Sequence, residues 1–351
     1  MTKSPEKANI LKKDLFRAIE SMGAYVERAD CLVIVTPGTV HSDRIDSRSG
    51  RKKDVCFRTF RRRGLCVLEM FAAMCSRRKT HPILLLQSSK TAPKWLSPIE
   101  AQNLAVGESE FTCCERNHEN NMSCSRNAVK DIMIRLVDKR VACLYESDKT
   151  VVLGRMWFVQ KQWFLRGLTS ESLKLKVCKD IEGFKKTLVW NDNHDREWFD
   201  RGGISLLLYG IGWNNASLVR LLLNSIKRVT DQTERHRRLL SVAPKSGFPQ
   251  VGITSRMNSL CVAMFMAGPE IVEMLLHSGI DPTNCTDGKG IDPFMFACVT
   301  AKIDNLRCWL QLVKSWNVNR RNMLNGATAL HTAVYVGASK HKLKLVKFLV
   351  E

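Results

Sequence analysis

Four segments toward the C-terminal end share one layout, and a chain that repeats itself at a near-constant spacing folds by stacking units rather than around one centre. Aligned on a bulky apolar residue, the segments bring Leu207, Leu260, Phe294 and Leu330 into register, at steps of 53, 34 and 36 residues. Two positions earlier stand Ser205, Asn258, Asp292 and Thr328. Each of these side chains accepts hydrogen bonds from the free amides of a helix N-terminus, so each segment is expected to open on a capped inner helix. Three positions after the aligned residue come Gly210, Ala263, Ala297 and Ala333. All are small, as required where helices of neighbouring units approach closely. A second apolar stripe follows in each unit: Leu218, Val219, Leu222, Leu223 in the first and Ile271, Val272, Leu275, Leu276 in the second. The i, i+1, i+4, i+5 spacing is one face of an outer helix. The third stripe has Leu306, Trp309 and Leu310 but is interrupted by Asn305, and the fourth has Leu345, Val346, Leu349 and Val350.

Within the fourth unit, Asn325 to Ala333 resembles the ankyrin signature G-x-T-P-L-H-x-A, with Ala329 where proline is usual and His331 as the signature histidine. Leu208, Cys261 and Met295 stand at the histidine position of the other units, and the glycine ending the inner helix survives as Gly337. The resemblance implies an all-α solenoid over residues 201–351 whose concave and loop-side surface binds another protein. The first step exceeds the family period of about 33 by about 20 residues. The excess includes the basic stretch from Lys227 to Arg238, expected to be an extended helix or a protruding loop, with Arg237 and Arg238 as contact residues. The chain stops at Glu351 directly after an apolar helix, which leads to the expectation of a fragment or of lost repeats.

The N-terminal end has a different grammar. Leu11, Leu15, Phe16, Ile19, Met22 and Val26 recur at helical spacing over residues 8–28. Cys31 to Val35 is a short continuous apolar run, expected to be a strand buried on both faces, and Pro82 to Leu86 repeats the pattern. A helix from Gly64 to about Arg77 between them makes a right-handed crossover of an α/β layer, assigned to residues 1–103. Gly64-Leu65-Cys66-Val67-Leu68-Glu69-Met70 resembles the W-C-x-x-E-L helix of Toll/interleukin-1 receptor (TIR) domains. That likeness implies a partial TIR-like or flavodoxin-like layer, with Glu69 in the position that serves NAD cleavage in catalytic members. The default reading of Glu69 is a solvated helix residue. The layout as a whole also resembles ankyrin-repeat proteins of unicellular algae, dinoflagellates especially, which implies no activity.

A mixed α+β region is expected over residues 104–200. Val129, Ile132, Met133, Leu136 and Val137 form one helical stripe opening at Ser125, and Leu153, Trp157, Phe164 and Leu168 another. Trp157, Phe158, Trp163 and Phe164 are assigned to core, or to the surface on which the first repeat docks. Cys113, Cys114, His118 and Cys124 supply four soft donors that zinc would accept. Adjacent cysteines point at one ion only with strain, so unrelated thiols in a loop are the favoured reading and no cofactor is assigned; a redox role is the third. The chain has 13 cysteines and no apolar signal segment at Met1, so free thiols in a cytoplasmic or nuclear setting are expected. No apolar run is long enough to cross a bilayer. No phosphate-binding Gly-rich loop, H-E-x-x-H or G-x-S-x-G motif is present.

The formal charge of +21 points to an acidic partner. Its densest block runs from Arg44 through Arg48, Arg51, Lys52, Lys53, Arg58, Arg61, Arg62 and Arg63. A solvated loop is the favoured reading, with a nuclear-import or nucleic-acid patch over 44–63 as the alternative. The expected function is a protein-binding scaffold or adaptor, with a TIR-like NAD-cleaving enzyme that uses Glu69 and carries the repeats as a targeting arm as the alternative. Candidate partner contacts are Lys52, Lys53, Arg61, Arg62, Arg63, Arg237 and Arg238.

Overall fold

The structure is a computed structural model and describes residues 5–45, 52–76, 80–96, 106–115, 124–168, 178, 180–190, 198–335 and 342–351. The chain divides into two compact units, Met1–Cys143 with Phe164–Leu173, and Leu144–Trp163 with Lys174–Glu351. Residues 104–200, expected as a region of their own, are shared between the two.

In the first unit, α1 (Pro5–Arg28) buries Ile19 and packs on α3 (Gly64–Met74), whose residues Val67, Leu68, Met70, Phe71 and Ala73 are all buried. β1 (Leu32–Val35) pairs in parallel with β4 (Ile83–Leu86), Leu32 opposite Ile83, so the helix lies in a β–α–β crossover as the pattern predicts. β5 (Lys94–Leu96) adds antiparallel to β4. The expectation that β1 is buried on both faces is corrected. Ile34 is 3% exposed but Val33 is 46% and Val35 64% exposed, because side chains alternate along a strand and only the Ile34 face of β1 reaches the core. Among the described residues the parallel part of the layer is this one crossover.

Part of the basic block is in regular structure. Arg44 lies in β2 (Thr39–Ile45) and Lys52 and Lys53 in β3 (Lys52–Val55), which pair antiparallel with Thr39 opposite Val55. Arg58 lies in α2 (Phe57–Phe60), and Arg61 to Arg63 form the turn into α3. Arg48 and Arg51 lie outside the described residues. The two-stranded ribbon pairs the backbone groups, and Lys52 on it is exposed.

α4 (Thr112–Glu115) and α5 (Ser125–Tyr145) complete the unit. Val129, Ile132, Met133 and Val137 on α5 are buried, and Arg140 donates to the Ser76 carbonyl. Two backbones meet at Gly107 and Gly167. A Cβ on Gly107 would lie 2.4 Å from the Gly167 carbonyl carbon, so only glycine fits there. Arg126 clamps the contact by donating to the Gly107 carbonyl at 2.8 Å and to that of Gly167.

The second unit is helical. α6 (Val151–Val159) ends at Gln160, and α7 (Lys161–Phe164) follows, so the single stripe expected from Leu153 to Leu168 is broken in two. Then come α8 (Ile181–Thr187), α9 (Leu206–Gly212), α10 (Ala216–Lys227) and α11 (Gln232–Leu240). The remaining six are α12 (Ser259–Met266), α13 (Pro269–His277), α14 (Pro293–Val299), α15 (Ile303–Leu312), α16 (Ala329–Tyr335) and α17 (Lys342–Val350). Inner helices stack in the order α9, α12, α14, α16, and the outer helices α10, α13 and α15 stack beside them. α6 packs on α9 and α8 on α10, so a further helix pair precedes the first repeat. Phe158 meets Trp213 at 5.7 Å and Trp163 meets Phe265 at 5.8 Å, which puts these aromatics on the docking surface for the repeats.

Candidate functional site

Each inner helix opens on the side chain the spacing marks out. Ser205 accepts from the Leu208 amide, Asn258 from Cys261 and Asp292 from Met295, at 3.0, 3.0 and 2.8 Å. Thr328 accepts from the His331 amide at 3.5 Å, while its hydroxyl lies 2.8 Å from the His331 ring nitrogen. Burial holds the Asp292 carboxyl above its usual range in spite of the amides of Met295 and Phe294.

Five residues ahead of two of these caps lies a turn the alignment did not register. Asp200 accepts from Gly202 N and Ile204 N at 2.9 and 3.0 Å and donates its own amide to the Ile204 carbonyl. Asp287 repeats the arrangement with Lys289 N and Ile291 N, both at 2.9 Å. Asn322, six residues before Thr328, closes a similar turn through Asn325 N and the Ala327 carbonyl. The signal was present as D-x-G-G-I and D-x-K-G-I immediately before Ser205 and Asp292. An aspartate accepting two amides makes a tight turn.

The turns of Asp287 and Asn322 and the loop before α12 border a groove of about 550 Å³ that has Asn258 in its wall. Its exposed lining includes Val242, Arg256, Lys289, Met323 and Leu324, with Met323 87% and Leu324 59% exposed. It is an apolar strip bordered by cations.

The inter-unit seams carry asparagines. Asn214 accepts from Gly268 N at 2.8 Å, joining the first pair to the second. Asn305 is buried and donates to the carbonyls of Ala267, Ala263 and Met264 at 3.0, 3.4 and 3.4 Å. The polar residue that weakens the third stripe in sequence is a clamp on the neighbouring inner helix. At the other end, Arg155 donates to the Leu188 and Val189 carbonyls and lies 3.5 Å from Asp200, which accepts from the Tyr209 hydroxyl at 2.6 Å. Burial pushes both the Asp200 carboxyl and the Tyr209 phenol up.

The basic candidates divide. α10 ends at Lys227 and the insertion forms the separate helix α11, so it is neither an extension nor a loose loop. Glu234 accepts from Arg237 and Arg238, which hold its carboxyl down to about 2, and the two guanidinium groups lie over Phe199 and Trp198 at 4.0 and 5.0 Å. Both arginines are thus engaged within the unit, Arg237 remaining more than half exposed. Arg61 lies over Phe57 at 5.6 Å, and the Arg62 carbonyl accepts from Glu110 N. Arg62 and Arg63 are half-buried and Lys52 is exposed.

Glu69 is half-buried on α3, its carboxyl raised by desolvation, one turn from Cys66, whose thiol desolvation and Glu69 push up to about 11. Three of the soft donors do converge: Cys113 Sγ lies 3.9 Å from Cys114 Sγ, and Cys114 Sγ 3.6 Å from Cys124 Sγ. His118 lies outside the described residues. Desolvation works to raise the Cys113 thiol, but hydrogen bonds from Ser125 and the two neighbouring thiols outweigh it and leave the group below its ordinary value. Desolvation and the neighbouring Cys124 and Cys113 thiols push Cys114 up to about 12.

Among the described residues no helix is long and apolar enough to cross a membrane. No curated protein matches the chain. The inner helix of the pair α9–α10 opens on the same kind of cap as the inner helices after it, but the pair precedes the stretch that a family model recognises. That model is the one for ankyrin repeats, in three copies, and the C-terminal region it covers, residues 260–351, is an ankyrin-repeat region.

Proposed function

We propose that this chain is a protein-binding scaffold that holds an acidic, partly apolar segment of another protein in the groove along the turn tips of its repeats. Ankyrin repeats generally mediate protein–protein interaction, and the groove is the observation that carries the reading. Met323, Leu324 and Val242 are exposed side by side with Arg256 and Lys289, although exposed apolar side chains gathered at one place on a water-facing surface mark binding sites. The apolar strip supplies affinity, and the cations supply attraction and register.

The test is selection of a displayed peptide library on the full chain, with peptides combining Asp or Glu with Leu, Phe or Trp as the probe. Enriched peptides should bind with an affinity that falls as ionic strength rises from about 0.05 to about 0.3 M. Met323→Asp and Leu324→Asp, at exposed positions, should each weaken binding about tenfold. Enrichment indifferent to both salt and these substitutions would sink the assignment.

Two further readings rest on single observations. The desolvated carboxyl of Glu69 on a crossover helix supports a TIR-like NAD-cleaving activity, tested by release of nicotinamide from NAD by the wild-type chain and by Glu69→Ala. The ribbon β2–β3 with Lys52 and Lys53 supports nucleic-acid binding, since a two-stranded ribbon fits a major groove. A steep salt dependence on mixed-sequence duplex would support it, and weak, flat titration would remove it.

A further inference from the structure

We infer that Cys113, Cys114 and Cys124 form a thiolate site for one zinc ion. A disulfide sets its sulfurs about 2.05 Å apart, so neither contact is one. A tetrahedral zinc with Zn–S bonds of about 2.3 Å places its thiolate sulfurs about 3.8 Å from one another. The observed separations of 3.9 and 3.6 Å bracket that value, and all three sulfurs lie within 4.8 Å of one another. Sulfurs brought into mutual contact without a bond are arranged as ligands of a single ion are, whereas an iron–sulfur cluster spreads its thiolates around a polynuclear core.

The local structure explains how adjacent cysteines converge. Cys113 and Cys114 sit in the single turn α4, where the Cys114 amide bonds the Phe111 carbonyl, and Cys124 immediately precedes α5. Both ends of this piece are anchored. Glu110 exchanges backbone hydrogen bonds with Arg62 and Gly64, and Arg126, two residues past Cys124, is fastened to Gly107. The sulfurs are therefore positioned by backbone at two fixed points. Binding would release the thiol protons to the buffer and leave three sulfurs on the ion, with a fourth position open to another donor.

The full chain, purified under reducing conditions and stripped with a chelator, should take up one zinc per molecule by native mass spectrometry. Cobalt in its place should show thiolate-to-metal charge-transfer absorption in the near ultraviolet. Losing a residue that merely orients a ligand already costs about 10–100-fold in affinity, so Cys114→Ser and Cys124→Ser should each lose at least about 100-fold. Cys308→Ser, on α15, should lose nothing. Stripping the wild type should also lower its melting temperature, a readout that does not depend on the variants folding. Absence of uptake, equal affinity in Cys114→Ser and Cys308→Ser, or a melting temperature unchanged by stripping would each overturn the assignment.

Discussion

The repeat array and the α/β unit solve the same problem, placing helices against one another, by different means. In the array the inner helices begin on Ser205, Asn258, Asp292 and Thr328, each accepting an amide three residues ahead. In the α/β unit α3 begins after Arg63, whose side chain makes no capping bond, and its first amide goes instead to Glu110, far along the chain. Local chemistry thus defines the array, while long-range contacts define the other unit. The difference teaches why one half announces itself in sequence and the other does not.

The comparison can be broken first at the cores. Trp309 is fully buried against Trp316 at 4.9 Å, so Trp309→Ala should cost about 3–5 kcal/mol in urea unfolding. Because repeats depend on their neighbours, faster hydrogen exchange should appear in α14 to α17 and leave α3 unchanged. Equal acceleration in α3 would contradict a locally specified array. Gly107→Ala probes the opposite kind of dependence: its new Cβ meets the Gly167 backbone, and the unfolding free energy measured by chemical denaturation should drop by about 1–3 kcal/mol. A neutral result would show that the clamp by Arg126 can relax.

Smaller effects sharpen the contrast. Asn258→Ala should cost about 1 kcal/mol by chemical denaturation, as loss of a cap does. Asp292 adds a pH signature. Its folded value is raised, so the stability it contributes is complete below the unfolded value and is lost as pH rises through the folded one. Asp292→Asn keeps the acceptor and should flatten that part of the stability profile. Glu234 carries the reverse sign. Its folded value of about 2 lies below the unfolded one, so its contribution is present at neutral pH and disappears as pH falls from about 4.5 to about 2. Glu234→Gln should cost only about 0.2–1 kcal/mol at pH 7, since the pair with Arg237 is largely solvated, and nothing at pH 2.

Much of the candidate site was legible in part. The caps could be read because a cap is a residue type at a fixed offset from a helix. The turns of Asp200 and Asp287 follow the same rule and could have been read from the D-x-x-G-I spacing, but the alignment began at the caps. The groove itself could not, since Val242, Lys289 and Met323 are brought together only by the stacking of successive turns. Asn305 shows the limit most plainly: in sequence it is a defect in a stripe, and in the structure its amide reaches three carbonyls of another repeat.

By itself the sequence determined where the paired helices of the array lie, how they begin and which faces they bury, because periodicity and capping act within one turn of helix. It also determined that β1, α3 and β4 form a crossover. Only the tertiary structure decided that Arg44, Lys52 and Lys53 lie in a ribbon, that Val33 and Val35 of β1 face water, that Gly107 must meet Gly167 and that three cysteines share one point in space. Those outcomes depend on groups far apart along the chain, and their pairing is set by the free energy of the whole fold rather than by any local preference.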